Sequence, residues 1–219
     1  ALVGKYLNGY GRQPSKVTGG PSSTYVPRGW TDWMVGLDNG GGLGGSTYDY
    51  FDYTENVNGV VTRNHGRYSS TVIADHAVDL IGKYAGKRRP FFMWVTPVAP
   101  HHGAPREPDD PPLETQGTGS HDTPARPDWV KGRFDAEIRH APGVPASGAD
   151  PEPRVHDKPR FMRKSPRLTK ADKAGTLAVA RQRAESILAW DREFGRIVRT
   201  LKRSGEFART VLVFTSDNG

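Results

Sequence analysis

Two continuous apolar runs, Pro90-Phe91-Phe92-Met93-Trp94-Val95-Thr96-Pro97-Val98 and Thr210-Val211-Leu212-Val213-Phe214-Thr215, constrain the fold more than any other feature of the chain. Each is short for a helix and lacks the alternation of a half-exposed strand. Each therefore predicts a strand buried on both faces, the pattern of a parallel sheet covered by helices. Between them lies a stretch of helical period, in which Ala180, Ala184, Ile187, Asp191, Phe194, Val198 and Leu201 recur by three and four on one face. Thr169 and Asp172 offer a capping-box-like start. Lys202 and Arg203 suit the negative end of the helix dipole, and Gly205 suits its stop. Strand, helical crossover and strand predict a right-handed parallel unit. The fold class expected is α/β, with a mostly parallel sheet and flanking helices.

The first ninety residues add smaller elements. Residues 1 to 10 give a short strand running into Gly4-Lys5-Tyr6-Leu7-Asn8, followed by a glycine-rich loop through Gly45. Gly40, Gly42 and Gly45 match G-x-G-x-x-G, but no strand precedes them and no helix opens after them, so a dinucleotide site is not expected. Tyr48 to Tyr53 and Val60 to Thr62 flank Asn58-Gly59, a strong hairpin signal. Ser69-Ser70 can cap a helix carrying Ile73, Ala77, Leu80, Ile81 and Tyr84, with Gly86 at its end and His76 at the edge of its apolar stripe.

From Gly103 to Lys170 the pattern changes. Twelve of the eighteen prolines lie there, with little periodicity, which predicts a long irregular insertion. The 219 residues carry a net charge of +7, which suits an anionic partner without choosing one. With no cysteine, the chain has no disulfide, thiolate zinc site or cysteine nucleophile of its own. No apolar run approaches the roughly 20 residues of a membrane span. Ala1-Leu2-Val3 resembles the middle of a strand, and both ends are taken as cut points.

In open α/β sheets ligands gather outside the carboxyl ends of the strands. One apolar run leads into Pro100-His101-His102 and the other into Ser216-Asp217-Asn218-Gly219. A carboxylate beside an amide oxygen suits a hard cation such as calcium, although an ordinary Asx turn has the same composition. His101 and His102 can bind metal, donate a proton or hold an oxyanion, or be plain loop histidines. On extended backbone the two would point opposite ways, so only one is expected at a site. Lys5 presents a point charge suited to a tetrahedral anion, as many exposed lysines do. Asp191 falls in an apolar stripe, where its carboxylate needs a partner or a polar site.

These pieces, in their order along the chain, resemble the sulfatase family of the alkaline-phosphatase-like superfamily. Gly4-Lys5-Tyr6-Leu7-Asn8 resembles the family's Gly-Lys segment in the form typical of N-acetylglucosamine-6-sulfatase-like members. Pro90-Phe91-Phe92 with Ala99-Pro100-His101 resembles the strand that delivers its active-site histidine. Arg183-Ala184-Glu185-Ser186 with Ala189-Trp190-Asp191 resembles its long helix, and Val213 to Gly219 its metal loop.

The resemblance implies a partial alkaline-phosphatase-like sandwich, with residues 1–219 a central part of the catalytic domain and 103–170 an insertion. It implies Asp217 and Asn218 as calcium ligands. Lys5 would contact the sulfate and the nucleophile, and His101 would contact the ester and assist departure of the alcohol, with His102 beside the substrate. The family nucleophile is a formylglycine made within Cys-x-Pro-x-Arg, ahead of the Gly-Lys segment. Asp122-Thr123-Pro124-Ala125-Arg126 has its outline but no convertible residue, and Leu7 stands where the family often has histidine. The implied partner is a sulfate ester of a small molecule or glycan, and the implied location is extracellular, periplasmic or lysosomal. A phosphatase or phosphonate hydrolase and a silent glycan-binding relative are the alternatives. Nucleic acid is not expected: the basic residues Arg154, Lys158, Arg160, Arg163, Lys164, Arg167 and Lys170 come without a nucleic-acid fold signature.

Overall fold

The computed structural model describes residues 1–112, 121–147, 149, 152–164 and 168–217. Five strands, β1 (Leu2–Gly4), β2 (Trp33–Gly36), β3 (Asp52–Val57), β4 (Val60–His65) and β5 (Trp94–Thr96), form one sheet in the order β4-β3-β2-β1-β5. Two long helices, α1 (Ser69–Tyr84) and α2 (Lys170–Arg203), accompany it. The fold is α/β, as expected, and its sheet is mixed. Strand β1 runs parallel to β2 and β5, while β3 is antiparallel to β2 and β4, so the sheet is not the mostly parallel one expected.

Local chemistry explains the hairpin. Asn58 and Gly59 take φ of 50° and 95°, the left-handed pair that a two-residue turn needs to match strand twist. The first strand of that hairpin lies further along the chain than the expected Tyr48 to Tyr53 and runs to Val57. Tyr48 to Phe51 lie in a turn, and pairing starts at Asp52.

One face of the sheet packs on helices. Val3 and Tyr53 meet Val72, Ile73, Ala77 and Ile81 of α1 and Trp190, Ile197 and Leu201 of α2 in one buried cluster. The opposite face carries Leu2, Trp33, Val35 and Leu37, packed with Tyr10 from the glycine-rich loop. Tyr10 is fixed there by polar bonds as well as packing. Its hydroxyl accepts from Trp33 Nε1 and Asn56 Nδ2 and donates to the Tyr25 carbonyl. The glycines at 40 and 45 serve close packing, since a Cβ on Gly45 would overlap the Asp52 carbonyl.

Several expectations are corrected. Ser69 and Ser70 do not cap α1; they are buried within its first turn, and Tyr68 precedes it without a side-chain cap. β5 is an edge strand, with Trp94 51% exposed, because nothing pairs on its outer side among the described residues. Thr210 to Thr215 form no strand. The segment is apolar enough, but burial requires a neighbour, and Val211 and Phe214 are 88% and 77% exposed.

Helix α2 begins with the expected capping box, in which the Thr169 side chain accepts from Asp172 N and the Thr169 amide donates to the Asp172 carboxylate. Its buried face, however, is turned about one residue from the apolar stripe. Val179, Gln182, Glu185, Ser186, Ala189, Trp190, Glu193, Ile197 and Leu201 face inward, while Ile187 and Asp191 are exposed. Asp191 therefore needs no buried partner.

The inward polar residues have partners from distant sequence. Arg126 is buried and donates to Glu185, Glu107 and Asp109. Glu185 also accepts from the Gly132 amide, and Gln182 Nε2 donates to the Asp109 carbonyl. The described parts of the proline-rich insertion are thus tied to α2 by ion pairs as well as by the packing of Ala125 and Val130 with Ala189. Arg126, the last residue of the pentapeptide that outlines the nucleophile motif, is the hub of that network.

Candidate functional site

β1 and β5 are parallel neighbours, so their carboxyl ends open on the same side of the sheet. Gly4 closes β1 with φ 109°, and a Cβ there would overlap the Thr96 carbonyl. That close approach lets the next residue be clipped to β5. Lys5 N donates to Thr96 O at 2.7 Å, and Thr96 Oγ1 donates back to Lys5 O at 2.6 Å. The backbone of Lys5 is thereby fixed, while its ammonium reaches past the sheet edge and donates to Asn8 Oδ1 at 2.7 Å.

Beyond β5 the chain turns. His101 N donates to Val98 O, and Tyr50 OH donates to His101 O at 2.6 Å. Burial pushes the Tyr50 phenol well above its ordinary pKa, so it remains a donor. Two further bonds hold the loop, Ala104 N to Tyr48 O and Tyr50 N to Ala104 O, both 2.8 Å. The histidine pair is therefore clamped between β5 and the 48–50 turn.

Because this backbone is turned and not extended, His101 and His102 do not point apart. Their ring centroids lie 4.2 Å from one another, which corrects the expectation of opposite directions. His101 Nδ1 lies 2.7 Å from the His102 carbonyl. A carbonyl only accepts, so Nδ1 carries the proton and Nε2 is left free for chemistry. Partial enclosure of the His102 ring lowers its pKa, reinforced by His101 and Arg183 and opposed by Asp122.

One aromatic side chain joins the two sides. Tyr48 OH lies 3.2 Å from Asn8 Oδ1, its ring centroid is 4.9 Å from that of His101, and the Lys5 ammonium sits 5.6 Å from the same ring centroid. Lys5, Asn8, Tyr48, His101 and His102 thus form one cluster, which can hold an anion beside an imidazole nitrogen able to take up and pass on a proton. Asn8 lies inside the Gly-Lys segment, but nothing in its spacing marks it as the partner of Lys5. Tyr48 carries no sequence signal, because its contacts come from 40 and 53 residues away.

Asp217 lies on the exposed tail, and among the described residues no hydrogen bond or ion pair joins it to Lys5 or His101. Asn218 lies outside the described residues. Glu107, Asp109 and Asp110 bring three carboxylates together, and Arg126 and Lys131 already form ion pairs with the group. No helix among the described residues is long and apolar enough to cross a membrane.

An arylsulfatase of Volvox carteri is 29% identical over 198 residues, covering 89% of this chain and 28% of its own length. The N-acetylglucosamine-6-sulfatase of Capra hircus is 27% identical over 235 residues, covering all of this chain and 33% of its own. The chain therefore spans about a third of the length of these curated relatives. A solved Bacteroides fragilis structure, yidJ, assigned as a sulfatase, shares the fold with a TM-score of 0.50 at 14% identity, over 94% of this chain and 38% of that one. The Sulfatase family model matches residues 7–219, so the chain belongs to the sulfatase family.

Proposed function

We propose that the protein containing this chain hydrolyses sulfate esters, with Lys5 and His101 acting at the sulfate group. The observation that carries this reading is the cluster at the carboxyl ends of β1 and β5, where a lysine ammonium and a histidine with a free Nε2 share one aromatic neighbour. Lys5 supplies positive charge for the tetrahedral sulfate. When protonated, His101 Nε2 gives its proton to the alcohol oxygen as the sulfur–oxygen bond breaks, which avoids release of an alkoxide. His102, held toward neutrality, adds a hydrogen-bonding ring without a second charge.

The fit to calcium rests on donor chemistry. The Asp217 carboxylate and Asn218 amide oxygen are hard donors of the kind calcium prefers, and they make up two of the six to eight it takes. The exposed Asp217 side chain is free to turn toward such an ion. Calcium bound there would neutralise charge on the sulfate oxygens. The proposed formylglycine would come from residues outside this chain, which has no cysteine.

For substrate we favour a sulfated aminosugar over an aryl sulfate. The Tyr6-Leu7-Asn8 form and the similarity to an N-acetylglucosamine-6-sulfatase support that choice. The test uses the full-length protein with N-acetylglucosamine 6-sulfate, 4-nitrophenyl sulfate and 4-nitrophenyl phosphate, each with and without a calcium chelator. Chelator-sensitive sulfate release, reduced on the order of 10²-fold or more by Lys5→Ala and His101→Ala, is expected. Turnover of the phosphate ester alone would move the protein to the phosphatase reading. No turnover with retained sulfated-glycan binding would make it a silent relative.

A further inference from the structure

We infer that Tyr48 is a positioning residue that couples Lys5 to His101, an inference that rests on the sulfatase reading above. Its hydroxyl and the Lys5 ammonium meet at the same acceptor, Asn8 Oδ1, at 3.2 and 2.7 Å. A carbonyl oxygen has two lone pairs, so Asn8 serves both donors and fixes the distance between them. The other end of the side chain belongs to the hydrophobic core. The Tyr48 ring packs against the buried cluster of Tyr50, Tyr68, Val98, Ala125, Val130 and Ala189. A half-buried tyrosine with an apolar body and a polar tip is held at both ends.

The ring also sets the His101 imidazole. The two planes are tilted by 41° with centroids 4.9 Å apart, and His102 lies beside His101 at 4.2 Å. His101 is thus flanked by two rings, which keeps its Nδ1–H on the His102 carbonyl and Nε2 outward. The Tyr48 backbone is not free to follow another arrangement, because its carbonyl accepts from Ala104 N and its amide donates to Ser46 Oγ. A cationic anchor and a proton donor that act on one sulfate must keep their spacing, and Tyr48 is the side chain that touches both.

The test compares Tyr48→Phe and Tyr48→Leu in the full-length protein, labelled with ¹⁵N-histidine. Long-range proton–nitrogen spectra report the tautomer of His101, with His101→Gln assigning the signal. Sulfate release gives kcat and KM, and calorimetry with inorganic sulfate gives anion affinity. Tyr48→Leu should shift His101 from the pure Nδ1–H form toward a mixture and lower kcat on the order of 10²-fold, with a small change in KM. Tyr48→Phe should keep the tautomer, because the ring remains, and weaken sulfate binding several-fold, because the Asn8 oxygen that anchors Lys5 loses the hydroxyl that helps to fix it.

Unchanged tautomer and kcat in Tyr48→Leu overturn the inference, as does an altered tautomer with unchanged kcat. If Tyr48→Leu does not fold, Tyr48→Phe decides: sulfate affinity equal to wild type overturns it. If the wild-type protein releases no sulfate from any ester, the function reading fails by itself. The tautomer of Tyr48→Leu then still reports whether Tyr48 orients His101.

Discussion

Arg126 Nη1 donates to Glu185 Oε2 across 2.5 Å, joining the irregular segment to α2 through two side chains that solvent scarcely reaches. Glu107 accepts from Nε and Asp109 from Nη2, so each guanidinium nitrogen has a carboxylate partner. Such a network contributes little net stability over an apolar replacement, but removing one carboxylate leaves buried donors without an acceptor even where the arginine keeps its other partners.

Glu185→Ala takes the acceptor from Arg126 Nη1 and from the Gly132 amide while Glu107 and Asp109 still balance the guanidinium, so it should destabilise the protein by about 1–3 kcal/mol, seen as a lower urea midpoint. The same variant removes the acceptor of the Gly132 amide, so limited proteolysis should cut first in the segment around residues 127–140. A midpoint within error of wild type would show that the network carries no such penalty.

His76 gives a pH dependence with a definite sign. Burial by itself lowers its pKa, but the hydrogen bond and charge of Glu55, with Asp79 and Asp75, outweigh burial and raise it above the ordinary 6.5. The folded state therefore holds the proton more tightly than the unfolded chain. The stabilisation is complete below pH 6.5 and disappears as pH rises through the folded-state value. Unfolding free energy should fall across that window, and His76→Gln should flatten the profile.

Gly4→Ala should damage both the sheet and the site. Alanine is strained at φ 109°, and its Cβ meets the Thr96 carbonyl, so β1 and β5 must separate. Overpacking of this kind costs roughly 1–3 kcal/mol. Because Lys5 N is held by the same carbonyl, sulfate affinity should drop with the melting temperature. A loss of stability with full sulfate affinity would separate the two.

Asp217→Ala should have the opposite profile. The side chain is exposed, and surface changes of this kind usually lie within about 0.5 kcal/mol. Stability without calcium should be unchanged, while the rise in melting temperature on adding calcium to the full-length protein should shrink or vanish. Retention of the full calcium shift would remove Asp217 from the ligand set.

Local signals were readable where local chemistry decides. Asn58-Gly59 gave the hairpin, Thr169 and Asp172 gave the start of α2, and the Gly4-Lys5 step at the end of β1 is where the sequence puts it. The phase of α2 was not readable. Its inward face carries Glu185 and Glu193, which are buried because Arg126 and Arg196 meet them, and Arg126 lies 59 residues away from its carboxylate. Hydrophobicity alone assigns such residues to the outside.

The candidate site divides in the same way. Lys5 and His101 are visible in short motifs, and the parallel pairing of their strands brings them together. Tyr48 sits in a stretch rich in strand-forming residues and is freed for the site only because pairing begins at Asp52. Asp217 and Asn218 depend on surroundings that the described residues do not supply.

The bare outer side of β5 and the uncovered Val211-Leu212-Val213-Phe214 stretch have a practical consequence for handling this polypeptide by itself. Unsatisfied backbone groups along one strand and a charge-free, β-prone tetrapeptide are complementary templates between separate molecules. At the concentrations of a recombinant preparation, such molecules should stick to one another and precipitate, and a lysine replacing Val211 or Val213 should keep them in solution.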